Sequence, residues 1–414
     1  MSKDFKFPLA VSTWGQEEKQ AMYDVIDSGM HTMGHKVKSF EEEFAKFVGS
    51  KYCVMVNSGS SANLLAIASL FYKKDAISYK KNDLGYLVKQ VDFRRLHYGD
   101  EIIVPAVSWA TSYHPLYQYG LKLKFVDIDL ETLNYNLKDL KEAITADTKA
   151  ILAVNLLGNP NNFEEVIQLS ESKSLLLIED NCESMGASFK NRQAGTFGIV
   201  GTYSTFFSHH IATGEGGLIV TNDEEIYHIL LSLRAHGWTR QLPKINHVSN
   251  KLDDDFKEAY RFVLPGYNVR PLEISGAVGI EQIKKLPFFI AQRRKNANQF
   301  QSLMKDYSQF ISIQKELGES SWFAFAMIVK PGAPFTREKF VKTLMESGIE
   351  CRPIVAGNFA NNTVVKEYYD YSIHNTILKN ADFIDNNGIY IGNNHIDATE
   401  MLETLDKTLQ ELVK

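Results

Sequence analysis

The middle of the chain alternates between short apolar runs and amphipathic stretches. Helical patterns such as NLKDLKEAI and NFEEVIQLSES separate several of the apolar runs. Continuous apolar runs, as opposed to alternating ones, are typical of strands that are covered on both faces. The pattern therefore predicts an α/β fold with a mostly parallel central sheet. The runs of strand length are EIIVPAV (101–107), KLKFVDI (122–128), KAILAVNL (149–156), SLLLIED (174–180) and GLIVT (217–221).

We expect three regions along the chain. Residues 1–34 form an N-terminal helical segment, in which the amphipathic stretch 16–29 ends at Gly29. Residues 35–285 form a large domain around the sheet. After Pro287, a polar helix, the strand WFAFAMIV and two further helices predict a smaller C-terminal α+β domain over 286–414. Residues 72–98 show no clean period and are interpreted as an insertion.

Charge and cysteine content exclude several classes of protein. The net charge of −5 argues against a general nucleic-acid binder, which would carry a basic patch. The three cysteines, Cys53, Cys182 and Cys351, are isolated, so neither a disulfide framework nor a Cys-x-x-Cys metal site is expected. The N-terminus has no apolar signal region, and no apolar run approaches the length of a membrane span. We therefore expect a cytoplasmic protein with no membrane contact.

The stretch NSGSSAN (57–63) lies between a predicted strand and a predicted helix. Gly59 allows close approach to the backbone, and Ser60 and Ser61 can offer N–H and hydroxyl groups at a helix N-terminus. Such an arrangement is suited to binding a phosphate. The alternative is an ordinary serine N-cap.

Two further residues follow strand ends, where ligands gather in open α/β sheets. Asp180 ends the run SLLLIED, and a carboxylate there suits the protonated pyridine nitrogen of pyridoxal phosphate. Trp109 follows EIIVPAV and could stack on an aromatic cofactor. A solvated strand-end acid and simple core or interface packing are the respective alternatives.

The stretch STFFSHHIATGEGG (204–217) contains a pair of histidines before a glycine-rich turn. His209 could act as a base near neutral pH. Paired histidines in a loop can equally be surface or structural groups. A zinc site is not expected, because no third ligand stands at a suitable spacing.

Taken in order, these segments resemble the DegT/DnrJ/EryC1/StrS family of sugar aminotransferases. The similarity covers VKSFEEEFAKFVGSKYCVMVNSGSSA, GDEIIVPAVSWAT, FVDIDLETLN, IEDNCESMGA, EGGLIVT and PGYNVRPLEISGAVGIEQI. The resemblance implies a pyridoxal phosphate-dependent enzyme with the aspartate aminotransferase fold (fold type I). In that family the lysine that binds the cofactor covalently lies six residues before the Glu of the EGG turn, and here that position is His209. The same departure is known in the subgroup of nucleotide-sugar 3-dehydratases.

The family's site residues can be carried over by position. The resemblance implies that the phosphate is held by Gly59, Ser60 and Ser204, that Trp109 stacks on the ring, that Asp180 pairs with the ring nitrogen and that Glu183 lies near the ring substituents. His209 becomes the catalytic base.

The family's active sites lie at a dimer interface, so a homodimer with shared sites is implied. Asn268 would then reach the partner's phosphate, and His236 would face the partner's site in the same way. Arg240 and Arg352 are candidates for contacts to the substrate phosphate or to a glutamate carboxylate, because the arginine fork suits both anions.

For the 3-dehydratase subgroup the implied reaction is removal of the C3 hydroxyl from a GDP-4-keto-6-deoxy sugar, either a mannose-type hexose or a related heptose. The cofactor would be held non-covalently as pyridoxamine phosphate, and L-glutamate would restore its amine. The product would be a 3,6-dideoxy sugar for surface polysaccharide. Three alternatives are an ordinary sugar aminotransferase, an iron–sulfur-coupled dehydrase, and a non-catalytic ligand-binding pseudoenzyme. The missing lysine opposes the first, and three scattered cysteines oppose the second.

Overall fold

The computed structural model describes residues 5–81 and 86–414. Strands and helices alternate through its middle, as the apolar runs predict. Its helices are α1 (Gln16–Ser28), α2 (His35–Val48), α3 (Gly59–Tyr72), α4 (Ala110–Gln118), α5 (Leu137–Ala143), α6 (Phe163–Ser172), α7 (Glu224–Leu233), α8 (Asp255–Glu258), α9 (Glu273–Met304), α10 (Arg337–Glu346), α11 (Thr363–Tyr368), α12 (Lys379–Asn387) and α13 (Thr399–Leu412). Its strands are β1 (Tyr52–Val56), β2 (Ala76–Lys81), β3 (Leu87–Phe93), β4 (Glu101–Pro105), β5 (Lys122–Val126), β6 (Thr148–Val154), β7 (Leu176–Asp180), β8 (Ser188–Phe189), β9 (Arg192–Gln193), β10 (Val200–Ser204), β11 (Gly217–Thr221), β12 (Ile311–Ile313), β13 (Ala324–Val329), β14 (Cys351–Arg352), β15 (Tyr371–Ile373) and β16 (Gly388–Gly392).

The large sheet has eight strands in the order β1-β11-β10-β7-β6-β4-β5-β15. Strand β11 runs antiparallel to both of its neighbours, and the pairings from β10 to β15 are parallel. All residues of β10 and β11 are buried, which agrees with a sheet covered on both faces. The predicted mostly parallel sheet is confirmed. Its parallel strands bring the ends of β4, β7 and β10 to one edge.

The C-terminal part of the chain builds a second sheet of four strands, in the order β12-β13-β16-β14. All its pairings are antiparallel. The core of this layer includes Phe300 and Met304 from the end of α9 together with residues of α10 and α13. The expected boundary between the large and small domains, at residue 285, lies inside α9. Strand β15 leaves this region and pairs with β5 of the large sheet.

The segment interpreted as an insertion contains a two-stranded hairpin. Strand β2 pairs antiparallel with β3 outside the large sheet. Residues 82–85 of the expected insertion lie outside the described residues. Within the described ranges, no helix has both the length and the apolar composition needed to span a membrane.

Candidate active site

Asp180 is the last residue of β7 and is buried with an exposed fraction of 5%. Its Oδ2 accepts hydrogen bonds from Asn63 Nδ2 at 2.8 Å and from Ser112 Oγ at 2.7 Å. Its Oδ1 accepts from the backbone N–H of Cys182 at 3.1 Å. Among the described residues no cation pairs with this carboxylate. The result is an oriented, buried anion at the edge of the sheet where ligands bind.

Thr202 fixes the orientation of the Asn63 amide. The Thr202 hydroxyl, on β10, donates to Asn63 Oδ1 at 2.5 Å, which leaves the Asn63 amino group to face Asp180. Ser112 is held in the same way by Ser108, with 2.7 Å between their hydroxyl oxygens. Three elements, α3, α4 and β10, therefore support one carboxylate.

Gly59 begins α3 beside Ser204, the last residue of β10. A Cβ on Gly59 would lie 2.7 Å from Ser204 Cβ and 3.2 Å from Cys182 Sγ, so only glycine fits without displacing its neighbours. Ser58 is the N-cap, since its hydroxyl accepts the N–H of Ser61 at 3.1 Å. Ser60 is exposed and does not serve as the cap. The predicted phosphate residues Gly59, Ser60 and Ser204 thus meet at one helix N-terminus, a favourable position for an anion.

Trp109 precedes α4 and has an exposed fraction of 58%. Packing in the core of the chain, one of the two alternatives for this residue, is therefore excluded. The carbonyl oxygen of Trp109 accepts the N–H of Ser112 at 3.0 Å, so the exposed indole begins the helix whose Ser112 contacts Asp180.

His209 lies in the loop after β10 and is half-buried. Its ring packs against Phe323 from one side, with 5.2 Å between centroids, and against Phe206 from another, at 6.0 Å. Burial and then the positive charge of Arg293 lower the pKa of His209 from 6.5 to about 4. The imidazole is therefore neutral at physiological pH and able to accept a proton.

His210 is fully buried and differs in role from its neighbour. Its Nε2 faces the carbonyl oxygen of Ser321 at 3.2 Å, and its Nδ1 has no hydrogen-bond partner among the described atoms. Burial holds the pKa of His210 well below its usual range, so Nε2 carries the proton of a neutral ring. The two neighbours therefore differ in environment, because His210 is enclosed by the fold whereas His209 is partly exposed.

Glu183 follows Asp180 by three residues and is half-buried. Its Oε2 accepts the N–H of Leu157 at 3.0 Å, and Leu157 in turn accepts the N–H of Phe323 at 3.1 Å. Burial first, and then the charge of Asp180, raise the pKa of Glu183 to about 7. Glu183 is thus linked through Leu157 to Phe323, the residue whose ring packs against His209.

Arg352 enters from the small domain on β14 and pairs with Glu350 at 2.7 Å. Its charge and that of Glu183 both act on the Tyr390 hydroxyl: burial and Glu183 raise the pKa of Tyr390 to about 12, while Arg352 opposes the rise. Arg352 and Glu183 are therefore both close enough to Tyr390 for their charges to act on its hydroxyl.

Asn268, His236 and Arg240 form a separate, exposed group. A bridge between Ala235 and Asn268 places His236 beside the strand-like segment of Asn268. Asn268 and Arg240 line a groove of about 510 Å³ with Met30, Trp238, Arg270 and Leu272. No contact joins this group to His209 or Asp180 within the described part of the chain.

Several residues that support Asp180 and His209 are not predicted by the sequence. Asn63, Ser112 and Thr202 support Asp180, and Arg293 and Phe323 surround His209. The NSGSSAN stretch containing Asn63 was noted for phosphate, and no spacing signal connects the others to the site.

A family model supplies the first comparison. The model of the DegT/DnrJ/EryC1/StrS aminotransferase family matches residues 12–392. The chain belongs to this family.

Members of the DegT/DnrJ/EryC1/StrS family include three close matches. GDP-4-keto-6-deoxy-D-mannose 3-dehydratase of Escherichia coli O55:H7 is 56% identical over 98% of this chain and 99% of its own length. A solved structure of GDP-4-keto-6-deoxymannose 3-dehydratase with a trapped PLP–glutamate geminal diamine has a TM-score of 0.91 at 55% identity, covering 98% of this chain and 100% of that one. A histidine-to-asparagine variant with bound GDP-perosamine has a TM-score of 0.91 at 56% identity and the same coverage. The aspartate aminotransferase-like fold is confirmed.

The residues of this chain fit the family's cofactor, pyridoxal phosphate. Asp180 offers an oriented buried carboxylate without a counter-ion in the described chain, which suits a protonated ring nitrogen. Gly59 packs directly against Ser204 at a helix N-terminus, a position that favours an anion such as the phosphate of the cofactor. Position 209 lacks the amine needed for a covalent link.

Proposed function

We propose that this chain catalyses the C3 dehydration of GDP-4-keto-6-deoxy-D-mannose, with pyridoxal phosphate and its amine form as cofactor and L-glutamate as amino donor. Identity of 56% along almost the full length of the E. coli enzyme supports the reaction and the substrate. The solved relatives with a PLP–glutamate adduct and with GDP-perosamine support the cofactor, the donor and the GDP-sugar. The product, a 4-keto-3,6-dideoxy sugar, suits surface polysaccharide biosynthesis.

The observation that carries the proposal is His209. An imidazole cannot hold the cofactor covalently, so position 209 is free to act as a base throughout the reaction. Its ring is neutral because its pKa is lowered to about 4, and its contacts with Phe323 and Phe206 fix the ring direction. A lysine at 209 would favour amination of the sugar; a neutral histidine favours dehydration.

The cofactor would be held by residues of α3, α4, β7 and β10. Gly59, Ser60 and Ser204 would bind its phosphate, Trp109 would cover its ring and Asp180 would pair with its nitrogen, with Glu183 near the ring substituents. When bound, the group supplies an amino group and an electron sink. Asn63, Ser112 and the backbone N–H of Cys182 orient the Asp180 carboxylate for this contact.

We also propose a homodimer in which each site uses both copies. Asn268 and His236 would reach the partner's site, which explains why they are exposed and apart from His209 in one chain. Arg240 beside them and Arg352 on the small domain would bind the anionic groups of the sugar nucleotide or glutamate. Three free cysteines suit a reducing cytoplasm.

The test follows the amino group. With pyridoxamine phosphate and no amino donor, dehydration should stop once one molecule of sugar has reacted for each molecule of pyridoxamine phosphate. With glutamate it should continue, releasing one ammonia and one 2-oxoglutarate for each 3-deoxy sugar. Mass spectrometry of the sugar and assays of ammonia and 2-oxoglutarate measure these quantities. Sustained turnover with pyridoxal phosphate and no donor would contradict the proposal.

The same experiment separates the alternatives. A C4 amino sugar as the main stable product would favour the aminotransferase. Absence of both a bound cofactor chromophore and any product would favour the non-catalytic alternative.

A further inference from the structure

The segment Ser321–Phe323 forms one wall beside the two histidines. The Phe323 ring lies 5.2 Å from the His209 ring and 5.8 Å from the His210 ring, centroid to centroid. Trp322, which lies between Ser321 and Phe323 in the chain, has a φ of +47°, in the left-handed region that bulky residues rarely adopt. Such a conformation persists only where surrounding contacts hold it.

Arg293 supplies those contacts from the middle of α9. Its side chain is buried, and Nη1 donates to the carbonyl oxygen of Phe323 at 3.0 Å and to that of Asn393. The Asn393 amide donates to the carbonyl oxygen of Trp322 at 2.8 Å. The guanidinium thus ties α9 to the turn that aims the Phe323 ring at His209.

The Arg293 charge has no counter-ion in the described part of the chain. Its partners are neutral carbonyl groups, and its Nε has no hydrogen-bond partner there. Burial lowers the pKa of Arg293 to about 9, which still leaves it charged at neutral pH. A buried charge without an ion pair is costly to the fold. The Arg293 charge acts on both His209 and His210, which suggests that its unfavourable burial serves these two histidines.

We propose that Arg293 is a positioning residue for His209: its guanidinium fixes the Phe323 wall against the imidazole, and its unpaired charge adds to the effect of burial in disfavouring a positive charge on that ring. The inference rests on the proposed role of His209 as the base. The other neighbours of the ring are the uncharged side chains of Phe206, Phe323 and Ser208, whose Oγ lies 3.5 Å from His209 Nδ1. The adjacent His210 is itself neutral. Arg293 is the charged group in the described chain that contributes to the lowered pKa of His209.

The direct test is the titration of His209 in the full chain without substrate. Diethyl pyrocarbonate reacts with neutral imidazole, and peptide mass spectrometry reports the modified histidine. In the native chain the rate constant at His209, corrected for reagent hydrolysis, should stay level between about pH 8 and 5, where an ordinary histidine loses reactivity. A midpoint near 6.5 in the native chain would overturn the inference without any variant.

Two substitutions separate charge from position. Arg293→Met removes the charge, so the midpoint of His209 should rise from about 4 but stay below 6.5, because burial is the larger cause of the lowered pKa. The acid limb of kcat/KM should rise with it. Arg293→Lys keeps the charge but cannot bridge the two carbonyl groups, so the midpoint should stay while kcat falls about tenfold through misplacement. Lys295→Met, which removes an exposed charge on the same helix, should change neither.

If the midpoint of His209 does not move in folded Arg293→Met, the proposed effect of the Arg293 charge is wrong. If kcat does not change in Arg293→Lys, the proposed positioning of the Phe323 wall is wrong. The proposed function fails separately, because a chain with neutral His209 that forms no 3-deoxy sugar contradicts only that function.

Discussion

At the scale of single residues, a substitution can restore at position 209 the lysine that the family resemblance implies. We expect His209→Lys to bind pyridoxal phosphate covalently and to lose dehydration, because the new amine holds the cofactor and the neutral base is gone. Borohydride reduction followed by peptide mass spectrometry should fix the cofactor to residue 209 of this variant. His209→Asn is the matched control and should lose dehydration without covalent binding. Labelling of the native chain at any lysine would contradict the assignment.

The pH dependence of the reaction also belongs to His209. The ordinary pKa of histidine predicts, from sequence, that the rate falls near 6.5. The structure corrects this expectation, because burial and Arg293 lower the pKa to about 4. We therefore expect kcat/KM to stay level down to about pH 5, because His209 is still neutral there, and to fall only below that pH. Initial rates across pH, checked against circular dichroism to exclude unfolding, measure the midpoint. A midpoint near 6.5 would show that the base is not His209 in this environment.

The same lowered pKa has a consequence for stability. Below pH 6.5 the unfolded chain takes up a proton at His209 that the native chain does not bind until about pH 4. Stability contributed by the neutral ring is therefore present above 6.5 and is lost as the pH falls towards 4.

Sequence spacing predicts the residues with distinctive chemistry but not their supports. Asp180 stands at a strand end, and His209 stands six residues before Glu215, where the resemblance to the family implies the cofactor lysine. A linear pattern together with that resemblance is enough to predict both as candidates. Asn63, Ser112 and Arg293 lie on three helices, and sheet order and helix packing bring them to the site. Their partners depend on distances that no local pattern encodes.

At the scale of elements, α2 and α9 pack with almost no space between their backbones. A Cβ on Gly276 would lie 2.5 Å from the backbone nitrogen of Val37, and one on Gly279 would lie 2.6 Å from the Phe40 ring. The buried Glu273 carboxylate strengthens this contact by accepting the N–H groups of Gly34 and Lys36, each at 2.6 Å.

This packing predicts unequal effects for two similar substitutions. We expect Gly276→Ala to lower the free energy of unfolding by about 1–3 kcal/mol, because the helices must separate. Gly279→Ala should cost less, because its Cβ would meet the side chain of Phe40 and not the backbone of α2. Asn298→Ala, at an exposed position of the same helix, is the control and should be near neutral. Urea unfolding measures all three, and equal losses for the two glycines would contradict the packing argument.

Helix α9 also shows where the sequence misleads. Pro287 predicts a break, since proline lacks the N–H that would bond to the carbonyl of Ile283. The structure instead has one helix from Glu273 to Met304. Leu286, Phe289 and Ile290 are buried around the proline, so packing on both sides offsets the lost hydrogen bond. The hairpin of β2 and β3 was likewise not predicted, because its pattern lacks a clean alternation.

At the scale of the whole molecule, the predicted site residues fall into two groups. His209 and Asp180 belong to one group inside the chain, while Asn268 and His236 are exposed beside a groove that includes Met30 and Leu272. Exposed apolar side chains such as Leu272, at 58%, and Met30, at 50%, suit an interface between two copies. This exposure supports the proposed homodimer, in which each site would combine His209 and Asp180 of one copy with Asn268 and His236 of the other.

Subunit mixing tests this arrangement. In a heterodimer of His209→Asn and Asn268→Ala chains, one site receives both defects and the other receives none. Activity should therefore return to about half of the native value per heterodimer, although each parent homodimer is inactive. Mixing His209→Asn with Asp180→Ala is the matched control: both residues belong to the same half, so each site keeps one defect and no activity should return. Heterodimers purified through two different affinity tags allow the comparison. No recovery in the first mixture would mean that Asn268 serves its own chain's site. Equal recovery in both mixtures would mean that the distribution of the two defects does not decide activity, and this result would also contradict the shared site.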